Sequence, residues 1–499
     1  MNTQMKMVWP ALSALALALA LQGCSGGGGG EDKTAQASSM AVNTPQMLTQ
    51  ESAENYDENV NGLISGATLK RWKDDWVNQR PAGITGKLII FQATIGPAGS
   101  EYIKPNGTNV FTYLSPSSEW IQTRNNGVIE TQSMVPDGPT MDALLKKYNI
   151  DPAKDMIVAA MGTGSNPNAM AQGRIWYALR YWGFDKKNLA LLNGGNQWLD
   201  DTSMTPADDF QATPSTAPNT GIFSVKSLQV DNTQLQATVE DMIRVLTPTD
   251  ANNKSDGIMI WDARSLAQFS AGEKLEMGED TNTDLAGTQG CATAYCDPVN
   301  SAVYQQFFQN GGSRQGHPNG TLQLQYTHML DSTKGYAYRP KSELLNLLNG
   351  GVNTSGIGFV DGSYGLLGAG NAYQNGDVIY NYCETTFRAM ITGVAAAVIM
   401  GKPVRFYDGA MVEWNSLTYA TDKNGNTILP ADSPWRTDVK SFYRPASSNT
   451  LVDPRTVTNP YAATTNAIVN ADKAYKTGES PVSGGAGGGG GAPSNPCGG

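Results

Sequence analysis

Val378-Ile379-Tyr380-Asn381-Tyr382-Cys383 is a short apolar run that ends in a cysteine, and the residues after it change period at once. Residues 385–400 carry a helical pattern, Val404-Arg405-Phe406-Tyr407 reads as a second buried strand, and Asp408-Gly409 supplies a turn beyond it. Strand, helix, strand in that order is the unit of a parallel sheet, because parallel neighbours need a crossover and a helix is the usual one. Near-continuous apolarity, in place of strict alternation, implies that both faces of the sheet are covered.

The same alternation extends upstream. Lys87-Leu88-Ile89-Ile90-Phe91, Met156-Ile157-Val158-Ala159-Ala160, Leu189-Ala190-Leu191-Leu192 and Gly257-Ile258-Met259-Ile260-Trp261 all read as buried strands. Residues 141–148, 169–182 and 342–348 show apolar positions at helical spacing. The expected fold class is α/β: two tandem units, each a parallel sheet flanked by helices, over residues 56–215 and 216–420. The second unit holds a Gly-, Asn- and Gln-rich insertion at about residues 273–314.

Both ends differ from this body. Residues 1–23 have Lys6, an apolar run and Leu21-Gln22-Gly23 before Cys24, the layout of a lipoprotein signal peptide. Cys24 is therefore expected to carry lipid; the alternative is an ordinary signal peptide with a chance cysteine. More than one acyl chain gives stable anchoring. Ser25 in place of an aspartate resembles lipoproteins of two-membraned bacteria that move on to the outer membrane. The expected location is thus the cell envelope, with a membrane as partner through the anchor. Residues 24–55 begin with a glycine run and read as a flexible tether. Residues 421–482 read as a Pro- and Asn-rich extension wrapping the surface, and residues 483–499 as a Gly-rich tail.

Composition excludes some functions. A formal net charge of -10 without a basic patch argues against nucleic acid. No stretch after the leader is long and apolar enough for a membrane span. Of the five cysteines, Cys291 and Cys296 are expected to form a local disulfide outside the cytosol. His317 and His328 are not spaced to complete a zinc site with that pair, so neither a metal nor another cofactor is expected.

The segment Tyr382-Cys383-Glu384-Thr385-Thr386-Phe387-Arg388-Ala389 carries the chemistry. Ligands of open α/β sheets bind at the carboxyl ends of strands, and Cys383 sits at such an end with a helix starting just beyond. Turn amides and the positive end of the helix would lower the thiol pKa and favour a thiolate or persulfide. Arg388 offers a forked cation for an anionic group. The competing reading is a buried structural cysteine.

These residues resemble the rhodanese family, whose active-site loop is Cys-x-x-Gly-x-Arg followed by a small residue; Cys383, Arg388 and Ala389 match. Asp262-Ala263-Arg264-Ser265 with Phe269 resembles the family's Asp-x-Arg-Ser strand end. Gly316-His317-Pro318-Asn319-Gly320-Thr321 is similar to its Gly-His-Ile-Pro-Gly-Ala element. Tyr407-Asp408-Gly409-Ala410-Met411-Val412-Glu413-Trp414 is similar to Tyr-Asp-Gly-Ser-Trp-x-Glu-Trp of two-domain members. In the first unit, Leu192-Asn193-Gly194-Gly195-Asn196-Gln197-Trp198 resembles the Leu-x-Gly-Gly-x-x-x-Trp turn.

The resemblance implies two tandem rhodanese-like domains, the first inactive because residues 161–170 lack a cysteine. It implies a sulfurtransferase in which Cys383 takes a sulfur atom from thiosulfate or a related small anion and passes it to a thiophilic acceptor. Glu384, Thr385, Thr386, Phe387 and Arg388 would form the substrate loop, and Asp262, Arg264 and His317 would brace it. Thr386 stands where the family has glycine, so a left-handed backbone there implies strain. Glu384 stands beside the nucleophile, where a carboxylate would repel a dianion and raise the thiol pKa. The alternative function is a non-catalytic lipoprotein of this fold for anion binding or assembly of an outer-membrane complex, with an envelope protein as partner. A Cys-x5-Arg phosphatase is disfavoured, since only four residues separate Cys383 from Arg388.

Overall fold

Alternate residues of each apolar run face different cores, which is how the sequence builds layers. The computed structural model describes residues 40–127, 130–247, 250–270, 276, 316–416 and 466–479. Ten strands make two five-stranded sheets. The first contains β1 (Gly62–Ile64), β2 (Leu88–Gln92), β3 (Val110–Leu114), β4 (Met156–Ala160) and β5 (Leu189–Leu192), in spatial order β1-β5-β4-β2-β3. The second contains β6 (Gln236–Ala237), β7 (Ile258–Asp262), β8 (Leu322–Gln323), β9 (Val378–Tyr382) and β10 (Val404–Tyr407), in order β6-β10-β9-β7-β8. Every pairing within both sheets is parallel. The two orders are the same when each sheet is numbered from its own first strand, so the chain is a tandem α/β repeat.

Ile89, Phe91, Ile157, Ala159 and Leu191 of the first sheet share one core with Met259, Trp261, Ile379, Val404 and Phe406 of the second. Leu88, Ile90, Met156, Val158 and Leu192 face a separate outer core, and Ile260, Tyr380, Tyr382 and Tyr407 face another. The shared core is filled by α2 (Gly138–Tyr148), α3 (Asn166–Tyr181), α4 (Lys341–Leu348) and α5 (Phe387–Val394), while α1 (Gly66–Asp74) and α6 (Ala410–Ser416) cover the outer faces. Helices α3 and α5 meet closely: a Cβ on Gly173 would lie 2.6 Å from Met390 Cβ, so only glycine fits. Tyr177 of α3 packs on Phe406 with ring centroids 4.9 Å apart, tying one repeat to the other sheet.

Several sequence expectations need correction. Residues 40–55, assigned to the tether, pack on the body. Gln50 and Ser52 donate their backbone amides to the carbonyls of Ala397 (2.9 Å) and Ile399 (3.1 Å). Those carbonyls lie where α5 widens into a π turn over Ala395–Ile399, and the arm supplies donors for them. The apolar segment at residues 390–400 is thus interior, and no described helix is long and apolar enough to cross a membrane.

The extension is not only surface wrapping either. It includes α7 (Ala467–Thr477), whose Asp472 is 2 % exposed and accepts two hydrogen bonds from Arg124, at 2.8 and 2.7 Å, and one from Tyr181. A buried carboxylate needs such partners, and a Pro/Asn-rich composition concealed it. Strands β1, β6 and β8 were passed over because two or three residues carry no period. β3 was passed over although Val110, Phe111, Thr112 and Tyr113 hold the β-branched and aromatic signal. The signal peptide and Cys24, residues 25–39, nearly all of the insertion with Cys291 and Cys296, and the tail lie outside the described residues.

Candidate active site

Strand β9 is apolar but for the buried Asn381, and Cys383 follows at the carboxyl edge of the second sheet, 0 % exposed. Thr386 caps α5 in the left-handed region, with φ 65° and ψ 0°. For a β-branched residue this is strained, and the position is the one where the rhodanese pattern has glycine. The surroundings over-determine it. Thr386 Oγ1 can donate to the carbonyl of Asp408 (2.8 Å) or of Tyr407 (3.1 Å), both beyond β10 or at its end. In return the Met411 and Val412 amides of α6 donate to the carbonyls of Cys383 (3.1 Å) and Glu384 (3.2 Å). The cysteine loop and the turn after β10 are therefore laced together through the backbone.

Asp262 ends β7 beside β9, and both it and Arg264 are 0 % exposed. Arg264 donates from Nη2 (2.6 Å) and Nε (3.0 Å) to Asp262 and from Nη2 to the Gly316 carbonyl (2.6 Å). Its Nη1 lies 3.5 Å from Glu384 Oε2. Burial opposes the charge on Arg264, and Asp262 more than restores it, holding the guanidinium protonated. Glu384, 2 % exposed, thus turns inward toward this cation.

His317 stacks on Phe269 with centroids 3.6 Å apart; its Nδ1 lies 2.8 Å from the Phe269 carbonyl and its Nε2 3.0 Å from Asp250. Arg388 is half-buried and donates to Gln268 Oε1. Phe387 points into the shared core at 0 % exposure, and Thr385 is 1 % exposed. The sequence reading placed residues 384–388 around a substrate; of these side chains only Arg388 has appreciable exposure. A tight strand-to-helix turn tucks its side chains inward, which leaves the backbone to face a ligand.

The first repeat has no cysteine on the matching loop. Counting forward from the strand ends Ala160 and Tyr382 puts Met161 in the place of Cys383, and counting back from the helix caps Ser165 and Thr386 puts Gly162 there. The φ of Gly162 is +77°, and a Cβ on it would lie 1.9 Å from the Thr94 carbonyl oxygen, so no side chain fits. Gly335 of the second repeat also sits over this edge, its carbonyl accepting from the Gly195 amide at 2.8 Å.

Arg174 and Asn126, which lie outside every quoted motif, complete the site by pairing with Asp408 and Glu413 of the Tyr407–Trp414 segment. Arg174 of α3 reaches Asp408 at 2.5 Å, both fully buried. Glu413 of α6 is 3 % exposed and accepts from Asn126 Nδ2 at 2.6 Å. Burial pushes the Glu413 carboxyl up to about 7; the nearby Asp408 also raises it, and the Asn126 hydrogen bond pulls it down. A charge amid apolar and small residues of a helix, such as Arg174 within Ala171-Gln172-Gly173-Arg174-Ile175-Trp176, was the available signal.

No family model matches the chain, and no curated protein matches it. Among solved structures, the Tum1 protein from Saccharomyces cerevisiae is similar at 15% identity over 71% of this chain and 95% of that one, with a TM-score of 0.44. The anaerobic ergothioneine biosynthesis enzyme from Chlorobium limicola, in complex with trimethyl histidine, is similar at 12% identity over 75% of this chain and 72% of that one, TM-score 0.44. The 3-mercaptopyruvate sulfurtransferase from Leishmania major is similar at 13% identity over 72% of this chain and 75% of that one, TM-score 0.38.

Proposed function

We propose that this chain is a rhodanese-type sulfurtransferase whose nucleophile is Cys383. The observation that carries the reading is the position of Cys383. It lies at the carboxyl end of a parallel strand, three residues before a helix cap held left-handed.

In the first half-reaction the Cys383 thiolate attacks the outer sulfur of a donor. A bond forms between Sγ and that sulfur, the donor's bond to it breaks, and the leaving group departs with the electron pair, as sulfite from thiosulfate would. In the second, an acceptor nucleophile attacks the outer sulfur and Sγ leaves as thiolate. The chain returns to its starting state with no net oxidation, which is ping-pong catalysis. Amides of the turn, together with the positive end of α5, stabilise the anionic sulfur. Arg388 is the cation nearest in sequence for the donor's anionic group, once it leaves Gln268.

With thiosulfate, mercaptopyruvate or polysulfide as donor and cyanide as acceptor, turnover with parallel double-reciprocal lines is expected for at least one donor. Cys383→Ser is expected to show none. A second reading is favoured by the complete burial of Cys383: a non-catalytic lipoprotein of the same fold that binds an anion or joins an outer-membrane assembly. Absence of turnover with every donor would select it.

In either reading the chain is exported and anchored through Cys24. Cells supplied with labelled palmitate are expected to label the wild-type chain and not Cys24→Ser; equal labelling of both would sink the anchor assignment.

A further inference from the structure

The two repeats finish their last strands with equivalent turns, Asn193-Gly194-Gly195 after β5 and Asp408-Gly409-Ala410 after β10. Each turn receives a backbone amide from the other repeat: Tyr338 donates to Asn193 Oδ1 at 2.8 Å, and Val135 donates to Asp408 Oδ2 at 2.6 Å. Each also steadies the loop after the fourth strand. The Asn196 amide donates to the Gly162 carbonyl at 2.8 Å, as the Met411 amide does to the Cys383 carbonyl at 3.1 Å. The plan is shared; the side chain is not. Where the cysteine-free edge uses a neutral amide, the Cys383 edge uses a carboxylate, and its second oxygen takes Arg174 Nη1 at 2.5 Å.

Stability does not account for this difference. The twin edge shows that an amide suffices for the cross-repeat bond. A fully buried ion pair is often no more stabilising than a well-packed neutral replacement, because both charges lose their water. Arg174 moreover keeps one buried donor, Nε, without a partner, although Nη2 reaches the Ser133 carbonyl at 3.0 Å. What the pair does hold is the Cys383 loop. The Asp408 carbonyl accepts from Thr386 Oγ1 (2.8 Å), which maintains the left-handed cap, and the Arg174 guanidinium lies 5.9 Å from the ring of Phe387, the first residue of α5.

We infer that Arg174, carried by the repeat that lacks the cysteine, is a positioning residue for Cys383, acting through Asp408 on the turn that fixes the cysteine loop. The inference rests on the sulfur-transfer reading for its consequence in catalysis, but its geometric part stands apart from it. The first repeat then supplies a fixed charge to the second repeat's chemistry in addition to packing.

The test copies the neutral twin. In the full-length chain, Arg174→Met alone strands a buried carboxylate and can fail to fold, so the informative variant is Arg174→Met with Asp408→Asn. Thermal unfolding is measured first, and the double variant is expected to fold. Two rates are then read on folded protein. Sulfur uptake from the best donor is expected to fall about tenfold or more, with the donor concentration for half-maximal rate unchanged, as a displaced reacting group requires. Alkylation of Cys383 by iodoacetamide, followed on the peptide that carries it, is expected to rise about tenfold as the unpinned loop opens more often. Arg174→Lys, which keeps the charge, is expected to lie nearer wild type in both rates. Either rate matching wild type in the folded double variant overturns the inference. If wild type itself takes up no sulfur, the functional reading fails, and the alkylation rate alone decides whether Arg174 positions the loop.

Discussion

Asp262→Ala is expected to destabilise the chain by about 3–5 kcal/mol, the range for breaking a buried ion pair from one side. Asp262 is fully buried and accepts from the Arg264 side chain at 2.6 and 3.0 Å, and from the Arg264 amide at 2.9 Å. Its removal leaves a guanidinium in the interior with the Gly316 carbonyl and a longer contact to Glu384. The penalty is mostly the uncompensated charge, so a double change of Asp262 and Arg264 to neutral residues of similar volume should recover much of it. Urea unfolding followed by tryptophan fluorescence measures both. A loss below about 1 kcal/mol for Asp262→Ala, in the range of exposed pairs, would mean that water reaches Arg264 and that the brace under the Cys383 loop is weaker than the geometry implies.

Glu413 gives the second large effect, and its sign follows from linkage. Its folded carboxyl titrates at about 7, above the ordinary value of 4.5, chiefly because burial disfavours the charge. In that window the native state binds more protons than the unfolded state, so stability falls as pH rises. The contribution is fully present below pH 4.5 and is lost as pH passes through about 7. At about 1.4 kcal/mol for each tenfold change in proton affinity, the total is about 3 kcal/mol. Glu413→Gln keeps an acceptor for Asn126 and removes the titration. The stability of the variant relative to wild type is therefore expected to rise by about 3 kcal/mol between pH 4.5 and pH 8, read from denaturant midpoints at each pH. A constant difference across that range would show that Glu413 is hydrated or paired in the native state.

Legibility of the fold depended on how local each signal was. Met156–Ala160, Leu189–Leu192, Val378–Tyr382 and Val404–Tyr407 were found at their observed bounds, because a central strand covered on both faces is largely apolar, Asn381 and Arg405 being the polar exceptions. Gln236–Ala237 and Leu322–Gln323 exist only through pairing with β10 and β7, and two residues cannot display a period. Helix α7 was hidden for another reason. It is held by partners far away in sequence, Arg124 pairing with Asp472 and Trp182 packing on Tyr475, and these leave no mark in the local pattern.

The site divides in the same way. The place of Cys383 at a strand-to-helix junction and the strained cap at Thr386 were readable, the latter from a threonine standing where the family pattern has glycine. The roles expected of the Glu384 and Phe387 side chains were not, since whether a turn residue faces a ligand or the core is set by what packs against it. Arg264 draws Glu384 inward and the shared core takes Phe387. Arg174, Asp408 and Asn126 act across the two repeats, so only the tertiary structure brings them to the cysteine loop.

The central claim is that Cys383 carries transferable sulfur, and one measurement reaches it without steady-state turnover or a coupled assay. Reduced, folded protein is mixed with thiosulfate, mercaptopyruvate or polysulfide, and intact mass is recorded before and after cyanide. The account predicts one added sulfur atom with at least one donor, located to the peptide containing Cys383, removed by cyanide and missing in Cys383→Ser. An unchanged mass with every donor, or an adduct that persists in Cys383→Ser, would contradict it.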